Sequence, residues 1–150
     1  MKNVKPLFFG FILTTAVSLV ACGTNRASGD NPWTAKQLME PSELNKILSD
    51  AKAEKPVVFN IGFGGGIPGS VDVGAAKDKV NIEKFKAELS KLPKDKAIVI
   101  YCGCCPFDPC PNIRPAFSLL NEMGFTNHKL LNLKQNFKVD WIDKGFPITN

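Results

Sequence analysis

Apolar residues recur along the chain at two spacings, one typical of helices and one typical of buried strands. Three segments have the helical spacing, at Leu44-Ile47-Leu48-Ala51, Ile82-Phe85-Leu89-Leu92 and Ala116-Phe117-Leu119-Leu120-Met123. Short apolar runs lie between and after them, at 57–61, 97–101 and 130–133. The run at 97–101 is apolar throughout, which is typical of a parallel strand buried on both faces. Alternating strands and helices predict an α/β fold: a mostly parallel central sheet flanked by helices on both faces.

Proline and glycine mark the boundaries of the predicted elements. The first helix is predicted to begin with Ser42 as its N-cap, and the second and third helices end at Pro93 and Gly124. A glycine-rich loop is predicted at 62–69, before a short strand. An irregular loop follows the strand at 97–101 and leads into the third helix, which is predicted to start near Pro115.

The N-terminus has the features of an export signal. Lys2 and Lys5 precede an apolar run at 7–21, and small residues follow, which is the order of a secretory signal peptide. The run is shorter than the roughly 20 residues that a membrane span needs. It ends in Leu19-Val20-Ala21-Cys22, which resembles the lipobox of bacterial lipoproteins. The resemblance implies that 1–21 are removed and that Cys22 is lipidated; an ordinary cleaved signal and an uncleaved anchor are the alternatives.

A lipoprotein signal predicts a protein of the cell envelope, anchored to the membrane and facing the periplasm. Residues 22–32 then form the lipidated cysteine and a flexible tether, and residues 33–150 form a single domain. Thiols can oxidise in that compartment, and disulfides persist there. The formal net charge of +5 falls to +3 when Lys2 and Lys5 leave with the signal, and the other lysines are scattered among acids. This charge gives no reason to expect nucleic acid as a partner.

The reactive chemistry is concentrated in the irregular loop, which contains all the cysteines of the mature chain other than Cys22: Cys102, Cys104, Cys105 and Cys110. A thiolate is the nucleophile, so a lowered pKa raises the reactive fraction. Backbone N–H groups at the start of the third helix could lower it, as could Arg114 if its side chain turns inward. The single histidine, His128, follows a predicted turn and is expected at the surface or at a strand edge.

The order of motifs from Trp33 to Ile148 resembles the rhodanese homology domain. The matching pieces are Glu40-Pro41-Ser42-Glu43-Leu44, Pro56-Val57-Val58-Phe59-Asn60-Ile61, Gly66-Ile67-Pro68-Gly69-Ser70, Ile98-Val99-Ile100-Tyr101-Cys102, Leu119-Leu120 with Gly124-Phe125, and Trp141 with Gly145-Phe146-Pro147-Ile148. The resemblance implies a parallel sheet core and a catalytic cysteine directly after the central strand, here Cys102. It implies transfer of sulfur through a cysteine persulfide, with a small sulfur donor or a thiol acceptor as partner and no cofactor.

Several positions depart from the family's pattern. Asn60 stands where the family usually has an acidic residue, Gly62 where it has arginine, and Gly66 where it commonly has histidine. The loop after Cys102 is also longer than usual. The departures indicate a divergent member of the family or one that serves another use.

Four functions remain open for the cysteines. In sulfur transfer, Cys102 is the nucleophile, and Cys104, Cys105 or Cys110 accept sulfur or resolve the intermediate. Cys102-x-x-Cys105 also has the spacing of a thiol–disulfide redox pair, in which Cys105 is the resolving thiol or the alternative nucleophile. All four could ligate Cu(I) or Zn(II), because soft thiolates select those ions. In the last alternative, the four cysteines form two disulfides whose role is purely structural, to hold the loop together. A disulfide between the neighbouring Cys104 and Cys105 would be strained, which favours Cys110 as the partner of one of them.

Overall fold

A five-stranded parallel sheet forms the centre of the domain. The computed structural model describes residues 31–149; the predicted signal peptide, Cys22 and most of the predicted tether lie outside the described residues. The sheet has the order β1-β5-β4-β2-β3, and every neighbouring pair is parallel. Its strands are β1 (Leu38–Met39), β2 (Val57–Asn60), β3 (Val71–Asp72), β4 (Ile98–Tyr101) and β5 (His128–Leu131). The predicted α/β class and parallel sheet are thus confirmed.

Helices cover both faces of the sheet. The helices are α1 (Pro41–Ser49), α2 (Lys79–Leu89), α3 (Ile113–Glu122) and α4 (Phe137–Asp140), and short 3-10 helices lie at Ala35–Gln37 and Ile142–Lys144. Helices α2 and α3 pack on one face, where their side chains join Phe59, Ile98 and Ile100 in one apolar core. Helices α1 and α4 pack on the other face with Val58, Val99 and Tyr101. None of these described helices is long and apolar enough to cross a membrane.

Some boundaries differ from the sequence prediction. Glu40, and not Ser42, is the N-cap of α1, because Pro41 occupies the first helical position, where its missing N–H costs nothing. Helix α3 begins at Ile113, two residues before Pro115. Strand β5 begins at His128, earlier than the predicted run. The sequence analysis also missed β1 and α4, which have two and four residues and are too short to display a periodic pattern.

The loops after β2 and β4 lie at the same edge of the sheet. These strands are adjacent and parallel, with Asn60 level with Tyr101, and the Ile61 N–H donates to the Tyr101 carbonyl at 2.9 Å. The glycine loop (residues 62–69) therefore faces the cysteine loop (residues 102–112). The two loops touch so closely that a Cβ atom at Gly103 would lie 2.0 Å from the Gly64 carbonyl oxygen. The topology thus places the four cysteines at the carboxyl ends of two central strands.

Candidate functional site

Four thiol groups cluster at this edge of the sheet. The Sγ atoms of Cys102, Cys104, Cys105 and Cys110 all lie within 4.8 Å of one another, and all four are free thiols in the structure. Two neighbouring pairs, Cys102–Cys104 and Cys104–Cys105, have Sγ atoms 3.3 Å apart. Cys102 and Cys110 are buried, Cys105 is partly exposed and Cys104 is exposed. The cluster thus has a buried side and a side open to solvent.

Cys102 is held as a thiolate by surrounding donors. The Asn112 side-chain amide and the Cys104 thiol lie 3.4 and 3.3 Å from its Sγ atom, and the Cys110 thiol and the Cys104 backbone N–H lie beside it. These donors, led by Cys110, lower the pKa of Cys102 from the usual 9.0 to about 5, although burial opposes the shift. At neutral pH this side chain is therefore a nucleophile, and it needs no separate base.

The pKa values of the two thiols beside Cys102 are raised and not lowered. Burial and the neighbouring thiols Cys105 and Cys102 raise the pKa of Cys104 to about 12. The hydrogen bond that Cys110 donates to Cys102 raises the pKa of the Cys110 thiol, and burial raises it further. Cys104 and Cys110 are therefore protonated at neutral pH, and they serve the Cys102 thiolate as hydrogen-bond donors.

Asn112 orients this arrangement, and the sequence analysis did not identify it. Its side chain is buried; Nδ2 donates to the Cys102 Sγ atom at 3.4 Å, while Oδ1 accepts the Lys77 backbone N–H at 3.1 Å. The Lys77 contact determines which end of the amide faces the sulfur. The Asn112 backbone N–H donates to the Cys110 sulfur. One available signal was the position of this asparagine directly before α3, where side chains often meet unpaired backbone groups.

The glycine loop supplies the wall opposite Cys102. A Cβ atom at Gly62 would lie 2.1 Å from the Cys102 sulfur, so no larger residue fits there without displacing the thiol. The Asn60 side chain shapes this turn, because its Oδ1 accepts the Gly62 N–H at 3.2 Å and its Nδ2 donates to the Gly65 carbonyl at 3.3 Å. Two departures from the rhodanese pattern, Asn60 and Gly62, thus have a structural role beside the thiolate.

Arg114 does not direct its hydrogen bonds to the thiols. Its guanidinium donates to the Asp108 carbonyl and to the Asn31 side chain, and it lies over the Trp33 ring, 5.3 Å from the centroid. The hypothesis that an inward-facing Arg114 lowers the pKa of a cysteine is therefore wrong for this structure, and none of the causes of the Cys102 shift involves this side chain. Arg114 instead ties the cysteine loop to Asn31, at the end of the predicted tether.

His128 lies away from the thiols. It is buried at the start of β5, and its ring packs on Phe117 with centroids 4.6 Å apart. Its Nε2 atom is 2.9 Å from Asn121 Oδ1, and burial lowers the pKa of the ring. Of the two expected positions, the strand edge agrees with the structure, because His128 is the first residue of β5, whereas the surface is wrong, because the side chain is buried.

The four sulfur atoms are the part of the described chain that could hold a metal ion, since they are close enough to share one. No protein-family model matches the chain, and no curated protein matches it. The structure therefore supports the α/β fold class, and the relation to rhodaneses stays a prediction from the motifs.

Proposed function

We propose that the chain is a periplasm-facing lipoprotein that transfers sulfur through a persulfide on Cys102. The observation that carries this proposal is the stabilised thiolate directly after the central strand β4, with a pKa lowered to about 5. Sulfur transfer needs one ionised thiol, and the neighbouring Cys104 and Cys110 stay protonated because their pKa values are raised. The cluster thus separates one nucleophile from two donors.

Loading of the site needs the Cys102 thiolate and a donor of sulfane sulfur that is small enough to reach this buried sulfur from the exposed side of the cluster. With thiosulfate, the thiolate attacks the outer sulfur, a bond forms between the two sulfurs, and the bond to the sulfonate group breaks. Sulfite leaves with that electron pair, and the terminal sulfur of the new persulfide carries the negative charge. The donors that held the thiolate then lie close enough to stabilise this charge.

Discharge of the persulfide is expected to pass through Cys104. Cys102 is 1% exposed, whereas Cys104 is exposed and its Sγ atom lies 3.3 Å from that of Cys102. The terminal sulfur of a persulfide on Cys102 is one S–S bond, about 2.05 Å, beyond the Cys102 Sγ atom, so it can lie within reach of the Cys104 sulfur. Cys104 is exposed, so it can release its proton to solvent as it attacks the terminal sulfur; the bond from that sulfur to Cys102 breaks, which regenerates the Cys102 thiolate. The sulfur is then on a side chain that an external thiol can reach.

The test is the intact mass of the full chain, reduced and freed of metal, after incubation with thiosulfate. We expect a gain of one sulfur atom that dithiothreitol removes and that Cys102→Ser prevents. Cys104→Ser is the matched variant: it should still load but should pass sulfur more slowly to an external thiol. No gain of sulfur, with a loss of two hydrogens for each new disulfide, would replace sulfur transfer with thiol–disulfide exchange.

The anchor is a separate part of the proposal, because Cys22 lies outside the described residues. It is supported by the Leu19-Val20-Ala21-Cys22 motif after the apolar run. Cells expressing the chain with labelled palmitate should incorporate label into it, and Cys22→Ala should abolish this incorporation. Equal labelling of both chains would contradict the anchor and leave the sulfur chemistry untouched.

A further inference from the structure

We propose that Cys102, Cys104, Cys105 and Cys110 also form a binding site for one thiophilic metal ion with a filled d shell, Zn(II) or Cu(I). This site would be a second use of the cluster, since an ion bound to Cys102 excludes a persulfide on the same sulfur. The inference goes beyond sulfur transfer and does not rest on it, because it depends only on the positions and chemistry of the four thiols.

The separations between the sulfur atoms fit one shared ion. Tetrahedral zinc with bonds of about 2.3 Å to sulfur places its ligand atoms roughly 3.8 Å apart. The Sγ atoms of this cluster are 3.3 Å apart in two pairs, and no pair exceeds 4.8 Å. Binding therefore needs only side-chain adjustments of about 1 Å or less, and the backbone of the loop already brings the ligands together.

Groups around the cluster are arranged to support metal-bound thiolates. The Asn112 side-chain amide donates to the Cys102 sulfur at 3.4 Å, and the Lys77 backbone N–H holds the other end of that amide at 3.1 Å. N–H donors of this kind orient ligands and stabilise negative charge on them. The buried ligand Cys102 thus has an outer contact in place before any ion enters.

The exposure of the ligands provides a route for the ion. Cys104 is exposed and Cys105 is partly exposed, while Cys102 and Cys110 are buried beneath them. An ion can bind first at the exposed sulfurs and then engage the buried pair. Each protonated thiol that becomes a ligand releases its proton to solvent, so the affinity is expected to rise with pH.

Co(II) is the probe, because four thiolates around it in a tetrahedron produce intense visible absorption that octahedral Co(II) lacks. The full chain is reduced, freed of metal with a chelator and titrated with Co(II) in the absence of any sulfur donor. We expect saturation at one ion per chain and protection of all four thiols from alkylation. Zn(II) or Cu(I) should then remove the bands at one equivalent.

Single variants test the ligand set. Cys110→Ser and Cys105→Ser should each weaken Co(II) binding by about 100-fold or more; the second substitution is at a partly exposed position, so a misfolded Cys110→Ser chain does not end the test. Asp108→Asn is the control, since it alters the same loop without removing a thiol, and its affinity should stay within about twofold of the native chain.

The metal site would be overturned if Co(II) showed only the weak absorption of octahedral coordination, or if it saturated without protecting the thiols. Cysteine variants that bind Co(II) as tightly as the native chain would overturn it too. Bands that persist at a tenfold excess of both Zn(II) and Cu(I) would overturn it as well. Failure here is distinguishable from failure of sulfur transfer, because the thiosulfate experiment is carried out on metal-free protein and the cobalt titration contains no donor.

Discussion

At the scale of single residues, the ionisation of Cys102 determines what the cluster can do. Its thiolate exists because of donors from the same loop and the start of α3, and the largest contribution comes from Cys110. Because the donors are themselves thiols with raised pKa values, removal of one changes the charge state of another. The reactivity of Cys102 is therefore a property of the cluster.

The folded chain should become more stable as pH rises, through the Cys102 thiol. Its pKa is about 5 in the folded state and 9.0 ordinarily, so between these values the unfolded chain holds a proton that the folded chain has released. The free energy of unfolding of the reduced protein should rise with pH across that window and fall as pH drops toward 5. Urea denaturation at several pH values measures the slope, which Cys102→Ala should reduce.

Cys110→Ala should raise the pKa of Cys102, because it removes the strongest donor to the thiolate. Thiolate absorbance in the ultraviolet, followed against pH, reports the midpoint. We expect the native chain to gain one thiolate near pH 5 and the variant to gain it at a distinctly higher pH. Equal midpoints would show that the other donors hold the charge alone.

Gly62→Ala should destabilise the domain, because the new Cβ atom would lie 2.1 Å from the Cys102 sulfur. Overpacking of this kind typically costs about 1–3 kcal/mol. The same substitution in a Cys102→Ala background should cost less, since the sulfur that it meets is absent. Urea unfolding of the four chains of this double-mutant cycle measures the coupling, and additive effects would contradict the predicted contact.

The sequence predicted the site only as far as residue type and order allow. The cysteines of one loop after an apolar strand identified the cluster, and Cys102 was the named nucleophile. The roles of Gly62 and Arg114 could not be predicted, because they depend on contacts between segments that are far apart in the sequence, and the one signal for Asn112 was its position directly before α3. Arg114 in particular bonds with Asp108 and Asn31, and the spacing of those residues carries no sign of that choice.

At the scale of elements, α2 packs on the sheet through a buried aromatic residue and a buried leucine, Phe85 and Leu89. Phe85 is fully buried and meets Phe59 of β2 edge to face, with ring centroids 5.0 Å apart. Phe85→Ala should lower the free energy of unfolding by about 3–5 kcal/mol. Val80→Ala on the same helix is the control: Val80 is 81% exposed, so a change within about 0.5 kcal/mol is expected. Urea unfolding compares the two variants.

The longer elements were predictable, and the short ones were not. Strand β4 and helices α1, α2 and α3 have enough apolar positions to reveal their period. Strand β1 has two residues and exists through pairing with β5, a partner almost a hundred positions away in the chain. Helix α4 depends on the Asn136 side chain, which accepts the Val139 N–H, and on Phe137 packing beneath the cysteine loop.

At the scale of the whole molecule, the segment at residues 31–33 is part of the domain. Trp33 is buried between Phe107 of the cysteine loop and Phe117 of α3, with ring centroids 6.1 and 5.8 Å away. Asn31, at the end of the predicted tether, forms hydrogen bonds with the side chains of Asp108 and Arg114. The chain thus enters the fold directly against the loop that carries the thiols.

Trp33→Ala should loosen the cysteine loop as well as destabilise the domain, by about 3 kcal/mol. Without the indole, Phe107 and Arg114 lose a packing surface, and the donors around Cys102 become less well ordered. Hydrogen exchange of the loop amides should accelerate in this variant, and Trp33→Phe should restore part of the protection. Unchanged exchange in the alanine variant would mean that the loop is held by α3 alone.

The contact of Asn31 with the cysteine loop also limits where the protein can work. The nine peptide units between Cys22 and Asn31 reach at most about 30 Å when fully extended. With Cys22 lipidated, as we propose, the tether joins the domain beside the thiols and not at the far end of the fold. The reactive sulfur would then stay close to the surface of the bilayer. A partner anchored in the same membrane would meet it far more often than one free in the surrounding compartment.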